Sequence, residues 1–310
     1  MKVIFLSNDT LEEYFGGAQL NTRSLVEYGK ERGHDTSEMT VKTFNKKELK
    51  KADLVVMVAL KLFDYEDVRW VADNCKFIKA EMDYAFCVFG NCKCFSNELE
   101  ITKCGKCSPN MEHMKLYDEL LDKSQYFVFF TPGQREHWRT FFGDKVDKSI
   151  LYTQFYADDK EFYNMGLQRI PNSALWVGRF SLSKGVPNAL KLAAEHPEMT
   201  FFFVGKAQTE QETALYRAHI NNLNNCTYLG HMSHEQLPLL YNLCENFVYK
   251  GLWPDTGPAT VYEAMLCGCN VITDTKFATI LSNGHKTEKE IRKAIRNSKK
   301  IFWEKIEKIA

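Results

Sequence analysis

Twice along this chain, short runs of consecutive apolar residues alternate with segments of helical periodicity. In the first half the runs are VIFLSN from Val3, LVVMVAL from Leu54, FIKAEM from Phe77, YFVFFT from Tyr126 and SILYTQF from Ser149, with a helix expected over about 17–32. After a polar stretch near 158–172 the alternation restarts with ALWVGRF from Ala174, TFFFVG from Thr200, CTYLG from Cys226, NFVYKG from Asn246 and NVITD from Asn270. Helices are expected between these runs, near 186–195, 211–222, 235–243 and 258–266. A strand that is apolar at nearly every position is buried on both faces, and parallel strands joined by helices provide that burial. The expected fold is therefore α/β, with two Rossmann-like doubly wound domains. Their expected bounds are 1–168 and 169–285, followed by a helical segment over 286–310. In that segment Ile291, Ile295, Phe302, Trp303, Ile306 and Ile309 form the apolar side of an amphipathic helix that packs against a domain.

Ligands of doubly wound sheets bind beyond the carboxyl ends of strands, so the residues that follow each strand are the candidates. GRFSLSKG, Gly178–Gly185, places Arg179 at a strand end and Lys184 five positions later. An Arg fork and a Lys point charge so placed can share one diphosphate, although two loop cations beside a helix start are also common. In DTGPATVYEAMLCG, Asp255, Gly257, Pro258, Ala259 and Thr260 lead into a helix carrying Glu263. Pro near the first helical position and unpaired N–H groups at that end suit an anion. Glu263 would repel a phosphate, so the better role is accepting hydrogen bonds from ribose hydroxyls; the plainer reading is compensation of the helix dipole.

These residues resemble the retaining glycosyltransferases of family four, which have the GT-B fold of two Rossmann-like domains facing across a cleft. The family pairs two acidic residues separated by seven others, as are Asp255 and Glu263, and EAMLCGCNVI over Glu263–Ile272 matches the continuation. YLGHMSHEQLPLLYNLCENFV, Tyr228–Val248, resembles the strand, helix and strand that precede the pair. FGGAQLNTRSLVEYGKERGHD, Phe15–Asp35, resembles the N-terminal Gly-Gly loop and first helix. The resemblance implies that Arg179 and Lys184 hold the diphosphate, both at the mouth of the cleft, and that Glu263 holds the ribose. It also implies that Asp255 contacts the transferred sugar, that the backbone of Gly257–Thr260 faces phosphate and sugar, and that Gly16 and Gly17 approach the phosphates from the first domain. Transfer with retention, without a divalent metal on the diphosphate, is the implied reaction. Two departures stand out. Asp255 replaces the family's usual Glu, and in EMDYAFC, Glu81–Cys87, Asp83 remains where the family often carries His-Asp.

CVFGNCKCFSNELEITKCGKC places Cys87, Cys92, Cys94, Cys104 and Cys107 in one loop-rich insertion over 87–107. Two close pairs on tight turns fit a four-sulfur structural zinc site, with Cys92, Cys94, Cys104 and Cys107 as ligands and Cys87 as the alternate; unpaired thiols are the other reading. Cys226, Cys244, Cys267 and Cys269 lie in or beside apolar elements and are expected in cores.

Lys plus Arg equals Asp plus Glu at 40 each, so no whole-chain field holds a polyanion, and the lysine runs at 46–51 and 286–300 read as solvated helix faces. The opening MKVIFLSND holds too short an apolar run for a signal peptide or a membrane span, so a cytoplasmic setting is expected, the host cytoplasm for a viral chain. The expected partner is a nucleotide-sugar donor, UDP-linked among others, and the acceptor a glycan or other small hydroxyl compound. Hydroxymethylated bases of phage DNA are the alternative acceptor, because the chain also looks like viral members of the family. A nucleotide-sugar epimerase on the same fold is a further alternative. A nucleic-acid module built on the cysteines would lack its basic excess.

Overall fold

The computed structural model describes residues 1–13, 17–82, 84–87, 108–152, 161–274 and 278–309. The chain divides into two compact units, Met1–Tyr156 with Ala294–Ala310, and Ala157–Lys293. The first boundary falls ahead of 168 because the segment after residue 160 packs with the second unit: Phe162 is buried, and Asn242 binds both the Met165 N–H (2.7 Å) and the Tyr163 carbonyl (2.9 Å).

In the first unit the strands are β1 (Lys2–Leu6), β2 (Asp35–Met39), β3 (Leu54–Met57), β4 (Phe77–Ala80), β5 (Phe127–Phe129) and β6 (Ser149–Leu151). They form one sheet in the order β2-β1-β3-β4-β5-β6, every pair parallel. Helices α1 (Gly17–Glu31), α2 (Lys46–Leu49), α3 (Tyr65–Asn74), α4 (Ser108–Lys123) and α5 (Pro132–Phe142) connect them. The apolar runs are buried as expected: every residue of β3, β4 and β5 is inaccessible. Strand β2, DTSEM, has no apolar run and sits at the sheet edge, with Thr36 and Met39 as its buried positions.

In the second unit β7 (Ile170–Val177), β8 (Thr200–Val204), β9 (Cys226–Gly230), β10 (Cys244–Tyr249) and β11 (Asn270–Thr273) form a parallel sheet in the order β11-β10-β7-β8-β9. Helices α6 (Val186–Glu195), α7 (Glu210–Asn221), α8 (Leu237–Leu243) and α9 (Ala259–Leu266) link its strands. The chain runs outward from β7 to β9 and then returns to place β10 on the other side of β7. The carboxyl ends of β7 and β10 are thus the switch point, where two loops diverge and leave a crevice.

The tail is one helix, α10 (Glu288–Ile306), whose residues from Ala294 belong to the first unit. Phe302, Trp303 and Ile306 enter the core formed by Val3, Phe5, Leu25 and Val56. Trp303 occupies the space where a side chain on Gly29 would stand, 2.2 Å from the position of a Cβ there, and its indole N–H donates to the Leu25 carbonyl at 3.1 Å. Arg32 holds Glu307 through two 2.8 Å contacts, and His34 adds a third. The charge-assisted pair lowers the Glu307 carboxyl to about 2. Among the described residues no helix is long and apolar enough to cross a membrane.

Candidate functional site

The loop after β7 is anchored by Phe180, which is buried against Trp176 and whose N–H donates to the Lys206 carbonyl at 2.9 Å. With its neighbour pinned inward, Arg179 is exposed, and among the described residues it makes no ion pair. Gly205, at φ +140°, permits the approach of the two strand ends, since a Cβ there would lie 1.8 Å from the Gly178 carbonyl oxygen.

The loop after β10 is tied to the loop after β7 by a backbone bond and to the start of α6 by a side chain. The Leu252 N–H donates to the Ser183 carbonyl at 3.1 Å, and Asn188 Nδ2 donates to the Lys250 carbonyl at 3.1 Å. Gly185 makes this contact possible: its φ is +77° and a Cβ would stand 1.9 Å from the Lys250 oxygen. Gly185→Ala combines a disfavoured backbone with a collision against backbone, so it is expected to cost about 2 kcal/mol or more in urea unfolding, a loss an unstrained surface Gly→Ala would not show.

Across this junction Lys184 Nζ is paired with Asp255 Oδ2, and the Tyr249 hydroxyl donates to the same oxygen at 2.6 Å. Trp253 lies beneath the ammonium, 5.8 Å from Nζ to the ring centre. Asp255 is 5% exposed. Its carbonyl accepts from the backbone N–H and the hydroxyl of Thr279, at 3.3 and 2.5 Å. Lys184 is therefore ion-paired and partly covered, and the Asp255 carboxylate is engaged by a lysine and a tyrosine.

Three residues on, α9 begins after Pro258, with no side chain capping it and no acidic residue in its first turn. In the first turn the Val261 N–H donates to the Pro258 carbonyl at 3.0 Å, and the N–H groups of Ala259 and Thr260 precede the first intrahelical bond, the arrangement that suits an anion. Pro258 and Ala259 are buried, while Gly257 and Thr260 are partly exposed. Glu263, one turn in, is 1% exposed. Its Oε2 accepts from the Tyr241 hydroxyl at 3.0 Å and its Oε1 contacts His234 Nε2 at 3.3 Å. Burial and then the Glu263 charge push the Tyr241 hydroxyl far above its ordinary range, so it remains a donor.

Arg179, Lys184, Asp255, Gly257, Pro258, Ala259, Thr260 and Glu263 all belong to the second unit, on the loops after β7 and β10 and on the helix that follows. Lys184 and Asp255 touch. Gly17 opens α1 in the first unit. Gly16, Asp83, Cys92, Cys94, Cys104 and Cys107 lie outside the described residues; Cys87 is buried near the end of β4. Among the described residues no cluster of three or more His, Cys, Asp or Glu is placed to hold a metal. The other four cysteines singled out, Cys226, Cys244, Cys267 and Cys269, are buried. Sequence reasoning singled out none of Tyr249, Trp253, Tyr241 and His234, whose aromatic or imidazole groups border the site; His234 and Tyr241 lie within the quoted Tyr228–Val248 segment, but nothing in its pattern marked them individually.

Residues 159–282 match the family described as Glycosyl transferases group 1. The matched residues lie within the second unit. Spore coat protein SA of Bacillus subtilis (strain 168) is 30% identical over 113 residues, which are 33% of this chain and 30% of that protein. Among solved structures, HepE of Anabaena in complex with UDP and glucose aligns over 97% of this chain and 92% of its own, at 13% identity and a TM-score of 0.61. A glycosyltransferase from Rickettsia africae ESF-5 aligns over 99% and 97%, at 13% identity and a TM-score of 0.63. The likeness is one of fold: this chain has the two parallel α/β units of the GT-B architecture.

Proposed function

We propose that this chain transfers a sugar, with retention of anomeric configuration, from a nucleoside diphosphate sugar to a hydroxyl of a glycan or other small acceptor. The observation that carries the reading is the switch point of the second unit, where Arg179, exposed and without an ion pair among the described residues, the Lys184 ammonium and the start of α9 follow adjacent strands. Arg179, the start of α9 and a Lys184 released from Asp255 suit a diphosphate, and the same elements stabilise it as a leaving group when charge grows on the breaking bond. Uridine is the nucleoside suggested by HepE, whose solved complex holds UDP.

In this reading Arg179 takes the diphosphate with its planar fork and Lys184 leaves Asp255 to meet it. Asp255, once released, and the backbone at Gly257–Thr260 face the sugar. Glu263 accepts from the ribose hydroxyls: each of its oxygens carries two lone pairs, and Tyr241 and His234 occupy one on each. Retention follows from the resemblance of the Asp255–Glu263 segment to the retaining family, and it would proceed without a glycosyl-enzyme, since before the donor binds neither carboxylate stands poised as a covalent nucleophile. Asp255 is held by Lys184 and Tyr249, and Glu263 is buried and bonded on both sides.

The test is incubation with UDP-, GDP- and ADP-sugars and a panel of glycan acceptors, read by product mass and by the anomeric coupling constant in NMR. An inverted product would reject retention, and donor turnover into a different free nucleotide sugar without acceptor would indicate an epimerase. Because protein cations supply the charge on the diphosphate, transfer should persist in excess EDTA. Loss of activity that Mg²⁺ or Mn²⁺ restores would assign that charge to a metal instead. Glu263→Ala should raise the dissociation constant of the bound nucleoside diphosphate by about tenfold or more in calorimetry, as expected for losing hydrogen bonds to a charged acceptor.

A further inference from the structure

Glu263 is held from two sides by residues of other elements. On one side stands the Tyr241 hydroxyl of α8. On the other stands His234, in a short turn ahead of α8, with Nε2 3.3 Å from Glu263 Oε1 and Nδ1 3.5 Å from Glu161 Oε2. The imidazole packs edge-on against Phe162, 4.9 Å between ring centres, which fixes its plane. Phe162 in turn packs on Tyr241. One imidazole therefore bridges two carboxylates, and the aromatic pair behind it leaves the ring little freedom to turn.

We propose that His234 is a positioning residue for the nucleoside half of the donor: its bridge to Glu263 sets the plane of that carboxylate so that the remaining lone pairs meet the ribose diol. The inference rests on the ribose role of Glu263 given above. The last torsion of a glutamate is soft, so a carboxylate with one hydrogen bond can rotate, whereas one bonded at both oxygens cannot. The imidazolium also offsets the negative charge that Glu263 and Glu161 together bring near a site for an anion. Among the described residues, the charged and titratable groups recorded against the ring include Glu263 from α9 and Glu161 from the segment before β7, with the Tyr241 hydroxyl of α8 beyond Glu263. Burial pulls the His234 pKa down, but the two carboxylates outweigh it and hold the group above its ordinary value. A raised pKa means that the doubly donating form prevails at low pH and is lost as pH rises through the folded value.

Calorimetric titration of the wild type, His234→Ala and His234→Gln with UDP, GDP, ADP and inorganic pyrophosphate tests this. His234→Ala should bind the preferred nucleotide about tenfold more weakly and pyrophosphate as tightly as wild type, because pyrophosphate engages the cations and not Glu263. His234→Gln, whose amide can donate to Glu263 without carrying charge, should recover part of the nucleotide affinity. The ratio of nucleotide dissociation constants between His234→Ala and wild type should be largest near pH 6 and shrink toward pH 9; taking the ratio cancels ionisation of the nucleotide itself. Equal nucleotide affinity in all three proteins, or equal loss of nucleotide and pyrophosphate, would overturn the proposal. A wild type that binds none of the four ligands would instead overturn the donor site on which it rests. Should His234→Ala fail to fold, the Gln variant carries the same comparison.

Discussion

Arg179→Ala is expected to lower the rate of sugar transfer by about 10²-fold at saturating donor, the cost of losing one preorganised donor to a developing anion. Its melting temperature should stay near that of the wild type, because the guanidinium is exposed and makes no ion pair among the described residues. An interaction that strengthens in the transition state appears in turnover more than in binding, so kcat is the quantity to follow, by release of nucleoside diphosphate. Arg179→Lys should recover only part of the rate, since an ammonium cannot reproduce the two-pronged contact. A wild-type kcat in the alanine variant would place the diphosphate elsewhere.

Lys184→Ala should lower kcat by a similar factor but, unlike Arg179→Ala, it should also destabilise the fold. Removing the ammonium strips Asp255, 5% exposed, of its counter-charge and leaves the Tyr249 hydroxyl as its remaining side-chain partner. A buried charged group deprived of its partner costs about 2 kcal/mol, measurable as a lower urea midpoint. The double variant Lys184→Ala/Asp255→Asn separates the two effects. Neutralising the aspartate removes the orphaned charge, so stability should return toward wild type, while the rate should not, because the phosphate-binding cation is still missing. If the double variant is no more stable than Lys184→Ala, the ion pair is not what holds the junction of the two loops.

The two sites of expected loss also show what kind of information each required. Arg179, Lys184, Asp255 and Glu263 were legible because each belongs to a short stretch whose spacing along the chain carries the signal. That Lys184 is neutralised by Asp255, 71 positions away, was not legible, and neither was the contact of His234 with Glu263, 29 positions apart. Distance along the chain says nothing of distance in space until the strands are ordered. Tyr249, Trp253 and Tyr241 are buried side chains, and their polar tips and faces became site features once neighbouring elements were placed against them.

Strands β1, β3, β4 and β5, and β7, β8 and β10, could be read directly, because burial on both faces of a parallel sheet demands apolar residues in succession, while the half-buried edge strands β9 and β11 were legible from their short runs alone. Strand β2, DTSEM, escaped notice for the opposite reason: at the sheet edge its backbone pairs with β1 while two of its five side chains are buried, so no run of apolar residues records it. The doubling of the α/β pattern was a property of the sequence by itself, since it depends on periods of two and 3.6 residues that neighbours along the chain determine. The return of α10 to the first unit, and the order β11-β10-β7-β8-β9 that sets the loops after β7 and β10 side by side, were decided only by tertiary structure. An amphipathic helix encodes that it must bury a face but not which face it meets, and a parallel strand encodes that it must pair but not with which neighbour. Packing of Trp303 over Gly29, and of Gly185 against the Lys250 carbonyl, made those choices.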